Sequence, residues 1–443
     1  MNIGMIAMSG IRACDTELLQ LGLTLPGFVE RSKQIASLPS LGLLTLAGMT
    51  PRPHTVRYHE APSAEVIPTL PTDFDLVAIS SLSAQIKDAY RVAAHYRALG
   101  IPVVMGGLHV TSVPGEPQQH NAIAVLGEGE LAWPLILADA ERGTHTLRPV
   151  YDMRGQEFDL ANAPMPAFEL LDIDHYNRIT VQTSRGCPWR CNFCASSILL
   201  TRKYKQKPIA KVLAEIDRIR ELWPRPFIEF ADDNSFINRD YWHELLPQLA
   251  KRRIRWFTET DLSIYEDDAL LEKMRKAGCA QVLIGFESPT PEALGGVELR
   301  KNFKLKRYDE YKEAIRRIQG HGITVNACFV LGLDGHDLQV FDSVVDFVTD
   351  ALPWDVQITL PTPFPGTPLY RQMQREGRLI EENAWERCTL FDINIKPKKM
   401  SVAELRAGFY QLTRVLYSDE FTQHRRKAFQ RNYRRERGLV RAA

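Results

Sequence analysis

The stretch Thr-Ser-Arg-Gly-Cys-Pro-Trp-Arg-Cys-Asn-Phe-Cys, residues 183–194, places three cysteines within eight residues. Cys187, Cys191 and Cys194 follow the spacing C-x3-C-x2-C, which brings three thiols onto one short loop. Three sulfurs leave a tetrahedral zinc site one ligand short. They suit a [4Fe–4S] cluster in which the fourth iron stays open to an outside ligand. The motif therefore predicts such a cluster, with chemistry starting at the open iron.

Two other interpretations of these cysteines remain open, a zinc site and ordinary buried thiols. Zinc sites usually add a second cysteine pair or histidines, and no suitable fourth ligand stands near the motif. The remaining cysteines lie scattered in mostly apolar segments, which is typical of small buried side chains. They are Cys14, Cys279, Cys328 and Cys388. An odd total of seven cysteines argues against a disulfide framework.

The middle of the chain repeats a strand followed by a helix, and the cysteine stretch comes directly after the first strand. The strands are predicted at Ile179–Gln182, Phe227–Phe230, Trp256–Glu259, Gln281–Phe286, Thr324–Val330 and Val356–Leu360. The helices are predicted at Ile209–Leu222, Tyr241–Lys251, Asp267–Ala277, Tyr308–His321 and Leu338–Ala351. Six such units predict a partial TIM barrel, whose active site lies at the carboxyl ends of the strands. The cysteine loop would then lie at the barrel mouth.

The first third of the chain also alternates apolar strands with helices. Strands are predicted at Asn2–Met8, Asp75–Ser80, Pro102–Met105 and Ala122–Leu126, and helices at Ser40–Thr50 and Ala84–Leu99. This alternation predicts a doubly wound parallel sheet, which binds ligands at the carboxyl ends of its strands. The polar or glycine-rich strand ends there are Ser80, Ser81, Gly106, Gly107, His109, Gly127, Glu128 and Gly129.

We therefore expect an α/β protein in four parts. A doubly wound domain at residues 1–143 precedes a proline-containing linker at 144–176 that lacks periodicity. The partial (βα)6 barrel follows at 177–370, and a helical carboxyl-terminal extension at 371–443 completes the chain.

Composition limits the partners and the compartment. The net charge of +1 over 443 residues argues against general affinity for nucleic acid. No apolar run reaches the roughly 20 residues of a membrane span. The amino terminus lacks the basic region of a signal peptide, so a cytoplasmic location is expected.

The exception to this charge balance is the basic segment from His424 to Arg441. We interpret it as a solvated helix end or tail. Contact with an anionic membrane surface is the alternative, because Phe429 and Tyr433 follow helical spacing there.

The pattern Arg-Gly-Cys-Pro-x-x-Cys-x-Phe-Cys resembles the signature of the radical S-adenosylmethionine (SAM) superfamily. Other segments resemble the subgroup that has an amino-terminal domain of the cobalamin-binding type. These are Gly106–His109, Gly127–Glu130, Arg202–Tyr204, Phe230–Asp233, Gly285–Ser288 and Pro363–Pro368. Thr258–Ser263 and Pro397–Met400 resemble the group that contains the hopanoid C-2 methylases.

The resemblance implies a [4Fe–4S] cluster on the three cysteines, SAM bound beside it, and an electron donor such as flavodoxin or ferredoxin. It implies SAM contacts from Phe193, Asp232, Asp233, Glu259, Glu287 and Arg202. Each contact has a simpler alternative: loop packing for Phe193, helix capping for the aspartates, and a plain surface position for Arg202 and the nearby Lys205. Asp232 is the favoured partner of the SAM amino group, and Glu259 could instead contact the substrate.

The resemblance also implies that the strand ends of the first domain, Ser80 to Gly129, could bind cobalamin. The motif Asp-x-His-x-x-Gly, which supplies a cobalt-binding histidine, is absent. The leading hypothesis is a cobalamin-dependent methyltransferase acting on a lipid or other small molecule. A cobalamin-free radical SAM enzyme and a non-enzymatic cluster or zinc sensor are the alternatives.

Overall fold

The computed structural model describes residues 1–10, 13–20, 38–196, 203–436 and 438. The predicted SAM contact Arg202 lies outside the described residues. The fold has two six-stranded parallel sheets and helices at the carboxyl end, which confirms the predicted α/β class with parallel sheets.

The first sheet has the strand order β2-β1-β3-β4-β5-β6, with every neighbouring pair parallel. Its strands are β1 (Asn2–Met8), β2 (Thr55–Ala61), β3 (Leu76–Ser80), β4 (Val103–Gly106), β5 (Ile123–Leu126) and β6 (Val150–Asp152). Four of them confirm the predicted strands within one or two residues.

Two edge strands of the first sheet were not predicted. β2 carries half-exposed polar residues such as Arg57 and His59, so it lacks the apolar run that marks a central strand. β6 has only three residues and lies inside the segment predicted as a linker, which is therefore partly sheet.

Helices cover both faces of the first sheet, so both faces bury apolar side chains. Alternate residues of one strand belong to different clusters: Val77 and Ile79 pack on one face, and Leu76 and Ala78 on the other. The helices here are α2 (Leu41–Met49), α3 (Ile86–Ala98), α4 (Leu108–Ser112), α5 (Glu116–Gln119) and α6 (Gly129–Glu141), whereas Leu18 of α1 (Thr16–Gln20) packs into the core of the second sheet.

The second sheet has the strand order β14-β13-β12-β11-β10-β7, again all parallel. Its strands are β7 (Ile179–Val181), β10 (Phe227–Phe230), β11 (Arg255–Thr260), β12 (Cys279–Glu287), β13 (Thr324–Val330) and β14 (Asp355–Thr359). A short antiparallel pair, β8 (Ser184–Arg185) and β9 (Lys205–Gln206), follows β7. All six predicted strands are confirmed.

Helices pack on one face of the second sheet, where alternate residues such as Val282, Ile284 and Phe286 join the main apolar core. They are α7 (Ile209–Leu222), α8 (Arg239–Arg252), α9 (Asp268–Lys276), α10 (Phe303–Lys306), α11 (Tyr311–Gly320) and α12 (Val340–Ala351). The other face of this sheet encloses the barrel interior and carries polar side chains.

The carboxyl-terminal extension contains α13 (Pro368–Arg375), α14 (Val402–Leu416) and α15 (Asp419–Glu436). Helix α15 contacts α11, with Arg425 completely buried and the Phe429 ring 5.0 Å from that of Trp354. The Phe429 ring packs edge-on against Trp354 and stacks on Tyr433, and both Phe429 and Tyr433 are half-buried. No described helix is both long and apolar enough to cross a membrane.

Candidate active site

The cysteine loop lies at the carboxyl end of β7 and is held by backbone hydrogen bonds on two sides. The amide of Asn192 donates to the carbonyl of Val297 at 2.8 Å, and Leu369 donates to the carbonyl of Asn192 at 3.0 Å. The Trp189 indole donates to the Asp261 carboxylate at 2.8 Å. These contacts place the loop at the barrel mouth, as the motif predicted.

The three thiols are free, partly buried and electrostatically coupled. Burial raises the pKa of Cys187 to about 11 and that of Cys191 to about 12, and the charge of a neighbouring thiolate adds to both shifts. Asn234 lies with its amide 3.7 Å from the Cys187 sulfur. Binding of metal would therefore have to deprotonate these thiols.

Within the described part of the chain, no three His, Cys, Asp or Glu side chains converge as ligands for a single metal ion. The three thiols of the loop leave a zinc ion one ligand short. A four-iron cube binds three thiolates at three of its corners, which suits three thiols on one loop.

Asp232 is completely saturated by the protein. Its carboxylate accepts from the backbone amides of Thr183 and Ser184, at 2.7 and 3.0 Å, and from the hydroxyls of Thr183 and Ser235. Burial raises the pKa of Asp232 despite these hydrogen bonds. This residue therefore fixes the start of the cysteine stretch, and no oxygen is left for the SAM amino group that the sequence assigned to it.

Asp233 has the more exposed position beside the loop. Its carboxylate accepts from the Gly186 amide at 2.7 Å and from the Ser196 hydroxyl, and its side chain lines a cavity at the barrel mouth. Of the two predicted aspartates, Asp233 is thus the one that reaches the site.

Glu287 forms a buried ion pair with Lys304, the kind of basic partner that a carboxylate in an apolar segment needs. Its carboxylate contacts the Lys304 ammonium, which also donates to the Gly285 carbonyl at 2.7 Å. Burial would lower the pKa of Lys304, but Glu287 outweighs it and raises that pKa. A methyl group on Gly285 would lie 2.4 Å from Glu287 Oε1, so a larger residue there would displace the ion pair from this position.

Glu287 also adopts a backbone conformation that side chains rarely take. Its φ is +66°, at a point where the pairing of β12 with β13 shifts register. Non-glycine residues in this region cost about 1–3 kcal/mol and cluster at functional sites. The strain, the glycine and the lysine together aim one carboxylate toward the barrel mouth.

Glu259 points into the barrel interior and makes no side-chain hydrogen bond with any described residue. Desolvation by the surrounding protein raises the pKa of Glu259 to about 7, although part of the residue is exposed to solvent, and the charges of Glu229, Asp233 and Glu287 add to the effect. At neutral pH this carboxyl group is therefore available as either a donor or an acceptor.

Polar side chains continue deeper along the same face of the sheet. Glu229 pairs with Arg178, and the amide of Gln281 donates to Asp355 at 3.2 Å. Asn326 is buried with neither of its amide atoms bonded to a described residue. This interior has the composition of a binding chamber rather than of a core, since cores rarely leave polar atoms unpaired.

Three other predicted positions have structural contacts. Phe193 packs against apolar clusters that include Val297, Val330 and Met373, which matches the simpler alternative for that residue. Lys205 donates to Glu128 and to the carbonyl of Phe158, so it points toward the first sheet. The Pro363–Pro368 turn precedes α13, whose first turn holds Asn192 through the amide of Leu369.

A cavity lies between the carboxyl edge of the first sheet and the barrel mouth, with about 1510 Å³ of empty space including its open side. Six of the eight predicted edge residues line it: Ser80, Gly106, Gly107, Gly127, Glu128 and Gly129. Its remaining wall includes Leu46 and Trp133 from the first sheet's helices, and Arg185 and Asp233 from the barrel.

His109 and Ser81 do not line this cavity. His109 is buried on the other side of the strand end, where its two ring nitrogens lie 3.0 Å from Ser83 and from Glu116. The indole of Trp385 also donates to Glu116, at 2.8 Å. His109 therefore ties the first sheet to the carboxyl-terminal extension.

Glu128 links the two sheets electrostatically. It accepts from Arg185 at 2.9 Å and from Lys205 at 2.6 Å, while Arg185 also contacts Glu130. Burial opposes ionisation of Glu128, but these hydrogen bonds and charges keep its pKa below the usual value. Neither Arg185 nor Glu130 was predicted to take part in this contact. The sequence indicates such a contact only indirectly, because a buried carboxylate without a partner would be energetically unfavourable.

The cavity suits a large planar group with a polar edge. Apolar side chains such as Leu46, Val104 and Trp133 form its floor, and Gly42 has open space where a side chain would project. No histidine occurs among the described residues that line it. These residues fit cobalamin held without a protein ligand to cobalt.

Comparison with known proteins agrees with this geometry. A sequence profile of the radical SAM superfamily matches residues 181–348, and a domain of unknown function (DUF4070) matches residues 367–442. The chain is 26% identical over 387 residues to the bacteriochlorophyllide d C-12(1)-methyltransferase of Chlorobaculum tepidum, covering 85% of this chain and 82% of that relative. It is 28% identical over 357 residues to the hopanoid C-2 methylase of Rhodopseudomonas palustris, covering 79% of this chain and 66% of that relative.

The chain thus spans just under two thirds of the hopanoid methylase. Among solved structures, the fold matches the radical SAM methyltransferase TsrM of Kitasatospora setae, solved with cobalamin and a [4Fe–4S] cluster bound. The TM-score is 0.65 at 14% identity, with 99% of each chain covered. At this identity the match concerns the fold alone.

Proposed function

Because this chain belongs to the radical SAM superfamily, in the subgroup with an amino-terminal domain of the cobalamin-binding type, we propose that it is a cobalamin-dependent methyltransferase. The observation that supports this most directly is the cavity between the two sheets. It borders Asp233, which holds Gly186, and Gly186 precedes Cys187. A group bound in this cavity would face the site of SAM cleavage.

With a cluster on the cysteine loop and cobalamin in the cavity, the reduced cluster would supply the electron that cleaves SAM to a carbon radical, and cobalamin would supply the methyl group. We assign Cys187, Cys191 and Cys194 to the cluster, and Asp233 and Glu287 to the polar groups of SAM. The Lys304 ammonium holds Glu287 in place. Glu259, which lies deeper and has no described partner, is assigned to the substrate.

The substrate class follows from the relatives only in outline. Their names concern a chlorophyllide and a hopanoid, both small molecules with unactivated carbons. We propose a small-molecule substrate of the lipid or natural-product type, methylated at such a carbon. Since reduced thiols and a cluster need a reducing compartment, we expect the protein to act in the cytoplasm.

The test is anaerobic purification followed by iron, sulfide and corrinoid analysis, and by assay of 5′-deoxyadenosine formed from SAM with dithionite. We expect four irons, retained cobalamin and 5′-deoxyadenosine. A full cluster without affinity for added methylcobalamin would contradict the methyltransferase and favour a cobalamin-free radical SAM enzyme.

Cysteine variants test the cluster assignment. Cys191→Ala should lose the cluster and all 5′-deoxyadenosine formation, because two thiolates cannot hold three irons of a cube. Cys279→Ala is the matched control, since Cys279 is buried in β12 away from the loop. Loss of iron from the control, or its full retention in Cys191→Ala, would show that the wrong thiols were assigned.

A further inference from the structure

An exposed basic surface lies directly beside the cysteine loop. Leu299, Arg300 and Lys301 are exposed, with Leu299 51% accessible, and Lys306 is exposed one helical turn further along the chain. We refer to these four residues as the donor surface. None of them lines the cavity or the barrel interior described above.

The donor surface is joined to the cluster loop by the backbone. Cys191 and Glu298 form an antiparallel bridge, and the amide of Leu299 donates to the carbonyl of Arg190 at 2.9 Å. Paired backbones lie about 4.8 Å apart. A protein seated on Leu299 would therefore be separated from Cys191 by little more than one extended segment.

A single buried carboxylate keeps this arrangement rigid. Glu298 is 2% exposed and accepts from the backbone amides of Arg190, Arg300 and Lys301, at 3.1, 3.0 and 2.6 Å. Because the bonds come from backbone amides, they orient the segment without using the charges of the two basic side chains. The cationic groups of Arg300 and Lys301 stay in solvent.

The cations of the donor surface differ from their basic neighbours in having no ion-pair partner among the described residues. Within residues 300–307, Lys304 pairs with Glu287, and Arg307 pairs with Glu266 and Glu310. Arg300, Lys301 and Lys306 form no ion pair with any described residue. On a chain whose net charge is only +1, this is a local concentration of positive charge next to the segment that pairs with Cys191.

We propose that the donor surface docks an acidic protein that carries one electron, and that this protein reduces the cluster. The inference rests on the proposed function, since it needs a cluster on the loop. One electron leaves the donor, which is oxidised, and the cluster accepts it; no bond forms or breaks and no proton moves.

The surface has the character that such an encounter requires. Electron-transfer complexes are small and transient, and they depend on charge steering more than on buried area. Three unpaired cations around one exposed leucine provide that charge with a small apolar centre. The other basic region, α15, lies at the far end of the barrel, where Arg426 approaches Asp355 at the start of β14.

The experiment measures cluster reduction by a reduced flavodoxin, an acidic flavoprotein, in stopped flow at low and high salt. The test variant reverses three charges: Arg300→Glu, Lys301→Glu and Lys306→Glu. The matched control reverses three exposed cations of α15: Lys427→Glu, Arg431→Glu and Arg434→Glu. Dithionite, a small reductant that needs no docking surface, is used in parallel.

At low salt we expect the test variant to be reduced by flavodoxin at least about tenfold more slowly than the control, because steering accounts for tenfold or more in such rates. The difference should shrink at high salt, where the Debye length falls to a few ångströms. Reduction by dithionite, and the 5′-deoxyadenosine it yields, should be unchanged in both variants.

Equal flavodoxin rates for the test variant and the wild type would overturn the proposal, as would equal slowing in the α15 control. Loss of dithionite-driven 5′-deoxyadenosine in the test variant alone would also overturn it, because the surface would then serve SAM or the loop itself. If the wild type forms no 5′-deoxyadenosine with dithionite, the proposed function fails, and the docking assignment fails with it.

Discussion

The two sheets share strand number and direction, but they differ in what their faces bury. In the first sheet, residues on both faces join apolar clusters, so both faces are buried against helices. In the second sheet, one face joins the apolar core while the other carries Glu229, Glu259, Gln281 and Asn326. The first sheet therefore offers a ligand only its edge, whereas the second offers an interior as well.

This difference has a cost in stability for the second sheet. Buried polar atoms without partners lower the free energy of unfolding by about 1–3 kcal/mol each. A strained Glu287 adds to that cost. A barrel that keeps such groups is organised for binding. Adding an unpaired polar group to the first sheet should therefore lower stability, whereas removing one from the second sheet should not.

The largest effect should come from breaking the ion pair at the barrel mouth. Lys304→Met leaves the Glu287 carboxylate buried without its partner, and we expect the free energy of unfolding to fall by about 3–5 kcal/mol. Urea unfolding of the metal-free protein measures this. The double variant Lys304→Met/Glu287→Met should recover most of the stability but should bind SAM poorly. A decrease of less than about 1 kcal/mol in the free energy of unfolding of Lys304→Met would show that water reaches the ion pair, which would contradict its burial in the structure.

A reciprocal exchange tests the contrast between the sheets directly. Val77→Asn puts an unpaired amide into the first sheet and should cost about 3 kcal/mol. Asn326→Val removes unpaired amide atoms from the second sheet and should change stability by less than about 1 kcal/mol. Both are measured by urea unfolding. Similar losses in the two variants would mean that the barrel interior is packed like the first sheet.

The smallest effect should be the pH dependence contributed by Glu259. The folded pKa of about 7 lies above the ordinary glutamate value, so between these two values the folded state binds more protons than the unfolded state. The stability contributed by Glu259 must therefore decrease as pH rises through this interval. The difference in free energy of unfolding between Glu259→Gln and wild type, measured at the same pH, should therefore favour the variant more at pH 8 than at pH 5.

Urea midpoints at both pH values measure the effect of Glu259→Gln. Glu292→Gln is the matched control, because Glu292 is exposed at the surface. A stability difference between Glu259→Gln and wild type that does not vary with pH would show that Glu259 is ionised normally in the folded protein.

Sequence reasoning located the site better than it located the contacts within it. The cysteine spacing and the strand that precedes it placed the loop at the barrel mouth, since both signals involve residues adjacent in sequence. The choice between Asp232 and Asp233 could not be made in that way. It depended on which carboxylate meets the amides of Thr183 and Ser184, about 50 residues earlier in the chain.

The first sheet shows the same division. Six residues of the polar or glycine-rich strand ends line the cavity, because parallel strands bring their carboxyl ends to one edge. His109 shares that edge in sequence but turns away into a network with Glu116 and Trp385. Trp385 lies 276 positions beyond His109, and no local pattern could indicate this contact.

Periodicity and cysteine spacing alone therefore determined two α/β sheets, a three-thiol loop and its placement at a barrel mouth. These features are set by how neighbouring residues alternate between apolar and polar. The tertiary structure decided which charges meet: Lys304 with Glu287, Arg185 with Glu128, and no described partner for Glu259. Such pairings depend on distant segments arriving at the same place, and their energies depend on burial, which only the folded chain defines.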